Sequence, residues 1–236
     1  MDKNCFQFRK FLINQDRCAM KVGTDGTLLG AWADAPSGKC RILDIGTGTG
    51  LIALMMAQRF PESEVLGVDI DSDATIQAQE NVAASPFCRR IKILQMDAVK
   101  IDDKEKFDAI VCNPPYFNNS LTCAKEQRSL ARHTVGLTYD ALMSTAYRLL
   151  SNDGCLSIII PSESNDSVES AAAFSGFIIS RICLIKTTPN KQPKRQLMEF
   201  KKYNPGTIDF REEILEIVPN IRSKWYYELT QDFYIK

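Results

Sequence analysis

Asn113-Pro114-Pro115-Tyr116-Phe117 sets two fixed acceptors beside two flat rings. The Asn113 side-chain oxygen and the Pro114 carbonyl can each take an N–H group, while the prolines stiffen the turn and bring no competing donor. Such a pair answers one chemical demand. An amine conjugated to a planar ring is a poor nucleophile because its lone pair is delocalised. Two acceptors aimed at its hydrogens favour the pyramidal geometry from which it can attack a methyl group. Tyr116 adds a face on which a base stacks.

A second cluster, Asp44-Ile45-Gly46-Thr47-Gly48-Thr49-Gly50, follows one apolar run and opens another with helical spacing. Three glycines let the backbone pass close to a ligand beside a helix N-terminus, which suits a nucleotide-like cofactor. The dinucleotide pattern Gly-x-Gly-x-x-Gly would need a glycine where the chain has Leu51, so the spacing argues against NAD. Asp69 and Asp97 close the next two apolar runs. A carboxylate at the first can accept both hydroxyls of a ribose, and an acceptor at the second can meet an adenine amine. The alternative for both is to cap the helix that follows.

Holding these groups on one edge requires strands that alternate with helices. Short apolar runs at 41–43, 65–68, 91–94, 107–112 and 155–160 read as parallel strands, and 51–60, 73–84 and 139–150 read as helices, the last with Leu142, Ala146 and Leu149 on one face. Segments 177–185 and 196–203 read as a terminal antiparallel hairpin. The prediction is an α/β fold with a seven-stranded, mostly parallel sheet and helices on both faces. Phe6, Phe8, Phe11 and Ile13 suggest a short strand pair packed over it, and Trp225, Tyr226 and Tyr227 read as core rather than as platforms for bases.

Composition excludes several classes. In 236 residues, 44% are hydrophobic, enough to bury a sizeable core, and the 29 basic and 29 acidic residues balance, which argues against a disordered tail or a wholly basic coat. The charges are unevenly spread. Residues 62–80 carry six acids and no Lys or Arg, whereas 186–202 carry six bases against Glu199 alone, broken by Pro189 and Pro193. The latter reads as a cationic loop, or as a solvated turn. Eight well-separated cysteines without a Cys-x-x-Cys pair read as reduced thiols, and no metal site is legible. The start Met1-Asp2-Lys3-Asn4 is charged where a signal peptide would be apolar, and no run approaches the ~18 residues of a membrane span. A cytoplasmic protein is expected.

Asn113-Pro114-Pro115-Tyr116 resembles the signature of amino-methyltransferases, and Asp44 resembles the acid opening the glycine motif of class I S-adenosylmethionine-dependent methyltransferases. The likeness extends along the chain. Phe8-Arg9-Lys10-Phe11, the run from Gln15 to Trp32, Ala131-Arg132-His133, Lys194-Arg195, Leu197-Met198-Glu199-Phe200 and the run from Leu229 to Tyr234 are similar to the bacterial tRNA(Val) adenine amino-methyltransferase family. The resemblance implies a single Rossmann-like domain over 1–236, in which 1–35 covers the cofactor and substrate site of a core over 36–236. It also implies S-adenosylmethionine as cofactor and methylation of the adenosine 3′ of the anticodon. Asn113, Pro114 and Tyr116 become the catalytic candidates. Thr24, Asp25, Thr27, Asp44, Gly46, Gly48, Gly50, Asp69, Asp97 and Asn113 are the cofactor-binding candidates.

Pro115, Phe117, Arg132, His133, Lys194 and Arg195 are expected to meet substrate, with Arg9, Lys10, Arg17, Lys21 and Arg128 as further phosphate contacts. His133, the sole histidine, has a hydrogen-bonded structural role as its alternative. The expected partner is tRNA, bound by a monomer without metal or membrane. Two other readings stay open: methylation of a release-factor glutamine amide or a ribosomal RNA guanine, and a binding module without catalysis.

Overall fold

The computed structural model describes residues 4–18, 21–102, 104–115 and 137–235. Tyr116, Phe117, Arg128, Arg132 and His133 lie outside the described residues. The chain opens with an antiparallel pair, β1 (Cys5–Gln7) and β2 (Leu12–Asn14), then α1 (Thr24–Trp32). Strand–helix alternation follows: β3 (Arg41–Ile45), α2 (Leu51–Arg59), β4 (Glu64–Asp69), α3 (Ser72–Ala83), β5 (Ile91–Gln95) and, after a 3-10 turn at Ala98–Lys100, β6 (Phe107–Cys112). The second half runs α4 (Tyr139–Leu149), β7 (Leu150–Pro161), α5 (Asn165–Ser175), β8 (Ile178–Lys186) and β9 (Arg195–Lys201). It ends with β10 (Asp209–Ile214), the small pair β11 (Glu216–Val218) and β12 (Ile221–Arg222), and α6 (Lys224–Thr230).

One sheet has the order β10-β8-β9-β7-β6-β3-β4-β5, with β9 antiparallel to its neighbours and the other pairs parallel. Parallel strands need both faces covered, which is why β3 and β6 are apolar nearly throughout. On one face α1, α2, α3 and α6 close a core around Phe8, Leu28, Leu54, Val82 and Phe233; on the other α4 and α5 close one around Leu142, Leu149, Leu156 and Val168.

The sheet has eight strands, not seven. The unexpected one, β10, is Asp-Phe-Arg-Glu-Glu-Ile, with no apolar run to mark it. It is an edge strand, largely exposed, and parallel pairing with β8 holds it from Asp209↔Arg181 to Ile214↔Lys186. The expected hairpin exists but is not terminal, because β9 lies between β7 and β8 and β10 takes the edge.

The N-terminal pair packs beside α3. Asn81, wholly buried on that helix, accepts from the Asn14 amide (2.8 Å) and donates to Asn14 O and Thr49 O (both 2.9 Å), while Gln77 Oε1 accepts from the Arg17 amide (3.1 Å). The chain's two ends also meet there: the Arg9 amide and Nε donate to Phe233 O and Tyr234 O (2.8 and 2.9 Å), and Phe8 stacks on Tyr234. Tyr226 is buried, Trp225 packs against the core, and Tyr227 is exposed.

Candidate active site

Strand order reverses between β3 and β6, and open α/β sheets bind ligands at the carboxyl edge where such a reversal opens a crevice. Ile45 pairs with Cys112 in register. The next residues, Gly46 and Asn113, therefore leave neighbouring strands at one level, about 5 Å apart. The glycine turn and the Asn-Pro-Pro segment are adjacent by construction.

Gly46, Gly48 and Gly50 all adopt positive φ (71°, 55° and 81°). A Cβ on Gly46 would meet nothing within 4 Å, and one on Gly48 only Gly46 O at 4.0 Å, so both border open space; at Gly50 it would press on Ala78 at 3.4 Å. The turn is bound to β4: the Gly46 and Thr47 amides donate to Val68 O (2.9 and 3.0 Å), and the Gly48 amide donates to Asp69 Oδ2 (2.9 Å). Asp69 Oδ1 accepts from the Asp71 amide (3.0 Å), which leaves each carboxylate oxygen a further lone pair.

The helix-capping alternative divides the two strand-end acids. Asp71, not Asp69, caps α3, accepting from the Asp73 and Ala74 amides. Asp97 does act as a cap, accepting from the Val99 amide at 3.0 Å.

Asp44 is fully buried. Its Oδ2 accepts from Thr47 Oγ1 (2.6 Å) and the Ala53 amide (3.1 Å), whereas its buried Oδ1 has no partner. Burial pushes its pKa up to about 7; the two hydrogen bonds oppose that shift and the nearby Asp69 charge adds to it. A ligand that brings a donor or a positive charge to the turn would relieve it. At the other strand end Asn113 Oδ1 is likewise buried without a partner, and Pro114 is buried beside it. An orphaned acceptor at the mouth of a crevice is a costly feature unless a ligand meets it. Burial, together with the charges of Asp44 and Asp69, drives the preceding Cys112 thiol well above its ordinary range, so that thiol stays neutral.

The N-terminal candidates are placed differently from one another. Thr27 is fully buried, and its hydroxyl donates back to Gly23 O (3.2 Å). Asp25, in the first turn of α1, is ion-paired with Arg195 Nε at 2.9 Å. Sequence reasoning missed that contact, as well as Gln77 and Asn81. The latter had a signal: α3 buries Ala74, Gln77, Ala78, Asn81 and Val82 along one stripe, and two amides on a buried stripe need partners. The cationic segment is mostly structured. Arg195 and Lys201 lie on β9, Lys186 on β8 pairs with Glu212 (2.6 Å), and Lys202 donates to Leu150 O (2.6 Å); Lys191 and Lys194 are exposed in the turn between β8 and β9.

The Methyltransferase small domain family matches residues 26–175. A tRNA1(Val) (adenine(37)-N6)-methyltransferase of Bacteroides thetaiotaomicron is 46% identical over 98% of this chain and 97% of its own, and one of Phocaeicola vulgatus is 46% identical over 98% and 97%. The chain belongs to this tRNA1(Val) (adenine(37)-N6)-methyltransferase family. The fold agrees with membership. A crystal structure described as a predicted O-methyltransferase from Agrobacterium tumefaciens superposes with a TM-score of 0.67 at 23% identity, covering 89% of this chain and 96% of that one. The methyl donor of such a family is S-adenosylmethionine, and the crevice between β3 and β6 is its candidate place. The residues there fit that group: an open glycine turn, a buried acid with an orphaned oxygen, and Asp69 with acceptor capacity to spare. Among the described residues no cluster of three metal-ligating side chains occurs, and no helix is long and apolar enough to cross a membrane.

Proposed function

We propose that this protein transfers a methyl group from S-adenosylmethionine to the exocyclic amine of an adenosine in tRNA(Val), the one 3′ of the anticodon. The observation that carries the chemistry is the orphaned Asn113 Oδ1, set one strand away from the glycine turn. When bound, S-adenosylmethionine supplies an electrophilic methyl carbon on a sulfonium. Asp69 accepts the ribose hydroxyls, Asp97 uses its remaining acceptor capacity toward the adenine, and Asp44 answers the positive end of the cofactor, directly or through a water. Gly46, Gly48 and Gly50 keep the backbone thin where the ligand passes, and Thr24, Asp25 and Thr27 shape the methionine end.

On the acceptor side, Asn113 Oδ1 and the Pro114 carbonyl take the two amine hydrogens and free the nitrogen lone pair. Tyr116 stacks on the base, and Pro115 and Phe117 border it. Because the base starts in a loop stack, it must be turned out into the pocket, at a cost of a few kcal/mol that phosphate contacts offset. Arg132, His133 and Lys194 are the proposed contacts.

The test is to incubate the protein with methyl-labelled S-adenosylmethionine and, in parallel, total tRNA, ribosomal RNA and a release factor, then digest the RNA for nucleoside mass spectrometry. The expected product is N6-methyladenosine in the anticodon-loop fragment of tRNA(Val). Label found only in the release factor or in ribosomal guanine would overturn the reading.

A further inference from the structure

We propose that Arg195 is a positioning residue, a strut from the start of β9 that fixes the first turn of α1 beside the reacting edge. This role rests on the function proposed above. Pro161, at the end of β7, pairs with Arg195. Pro115 and Pro161 each lie three residues beyond the β6–β7 pair Cys112↔Ile158, so Arg195 stands level with the Asn-Pro-Pro turn and two strands from it. Its guanidinium reaches off the sheet to Asp25, Nε to Oδ1 at 2.9 Å, a close ion pair rather than an aligned hydrogen bond, with the two side chains only 25% and 19% exposed. Three further contacts fix the members of this pair. A Cβ on Gly26 would lie 3.1 Å from Leu51 Cδ2, so the turn bearing Asp25 rests directly on the helix that follows the glycine motif. The Ser162 amide donates to Lys194 O (3.1 Å) and the Lys194 amide to Ile185 O (3.1 Å), which hold the start of β9. The first turn of α1 is thereby tied both to the cofactor side, through Leu51, and to the acceptor side, through Arg195.

A guanidinium held in this way differs from one that reads RNA phosphates. It is shielded and already partnered, so RNA would have to break a partly buried pair to use it. The exposed Lys194 beside it needs no such rearrangement.

The experiment compares Arg195→Met, which keeps an apolar stem, Arg195→Lys, which keeps the charge, and Asp25→Asn alone and combined with Arg195→Met. Two readouts need no tRNA: the calorimetric Kd for S-adenosylmethionine, and amide exchange at Thr27, whose N–H closes the first turn of α1 onto Gly23 O. Arg195→Met is expected to raise Kd about tenfold and speed Thr27 exchange by a similar factor, with Arg195→Lys within about threefold of the parent and the double variant no worse than the worse single one. Asp25→Asn probes the same pair if Arg195→Met does not fold. The salt dependence of tRNA KM should stay unchanged in Arg195→Met. Unaltered Kd and exchange, or Asp25 and Arg195 effects that simply add, would refute the strut. A reduced salt slope as the sole change would make Arg195 a phosphate contact. A parent protein that binds S-adenosylmethionine but methylates no tRNA would sink the proposed function, and Kd and exchange would still decide the strut.

Discussion

Asn113 and Asp44 each hold one buried oxygen without a hydrogen-bond partner, and each makes a separate prediction. The buried oxygen of Asn113 is an acceptor at the end of β6, beside the glycine turn. If it meets the target amine, Asn113→Ala lowers kcat by about 100-fold or more while leaving the Kd for S-adenosylmethionine nearly intact, since the lost interaction belongs to the transition state. Single-turnover kinetics beside calorimetry would separate the two. Asp44 is the opposite case, a charge that burial opposes. Its folded pKa of about 7 lies above the ordinary 3.8. The folded chain thus binds the proton more tightly than the unfolded one, and this group's contribution to stability falls as pH rises from about 4 to above 7. Asp44→Asn removes that cost. In thermal melts of ligand-free protein its advantage over the parent should be greater at pH 8 than at pH 5 by about 3 kcal/mol, while cofactor binding weakens. An advantage independent of pH would mean that the carboxylate ionises normally in the fold.

At the scale of elements, α3 does more than cross between strands. Through Asn81 it ties the N-terminal segment to the glycine turn, holding both Asn14 and Thr49 O. Asn81→Ala leaves the buried Thr49 carbonyl and the half-buried Asn14 amide and carbonyl unmet and should cost about 2–3 kcal/mol in urea unfolding, with faster exchange at the Asn14 amide. Normal protection there would show that the strand pair docks by its aromatic contacts alone. The amides were readable as residues but not as a clamp, because their partners come from distant parts of the chain. The same limit hid the Asp25–Arg195 pair. Elements built on apolar runs, β3 to β7 with α2, α3 and α4, were legible, since a strand buried on both faces cannot be written otherwise. The elements that escaped lack that signature. In β10 four of six residues are charged, and α5 buries only Val168, Ala171 and Ala172. Helix α1 contains Gly26 and Gly30, poor helix formers, and a Cβ on Gly30 would stand 2.7 Å from Met55 Sδ, so this glycine serves close packing of α1 on α2 rather than flexibility.

The whole molecule is electrically neutral, yet the edge that holds the site is not uniform. At one end of it β3, β4 and β5 finish on or beside Asp69, Asp71, Asp97 and the partly ionised Asp44, a field that attracts a cationic cofactor and repels phosphate. At the other end the turn between β8 and β9 exposes Lys191 and Lys194, while Lys186 is spent on Glu212 and Arg195 on Asp25. The Asn-Pro-Pro segment after β6 lies between the two fields; under the proposed function, a base arriving from the basic side would meet there a methyl donor held on the acidic side. On the same reading, the salt dependence that this turn gives to RNA binding should be shallow. Replacing Lys191 and Lys194 together with Ala should raise KM for tRNA and flatten the log KM against log salt plot by about 0.7–0.9 for each phosphate no longer neutralised, with kcat and cofactor Kd unchanged. Restoring the charges as Arg should restore the slope. A slope indifferent to both lysines would place the phosphate-binding cations elsewhere on the molecule and reduce this turn to solvated surface.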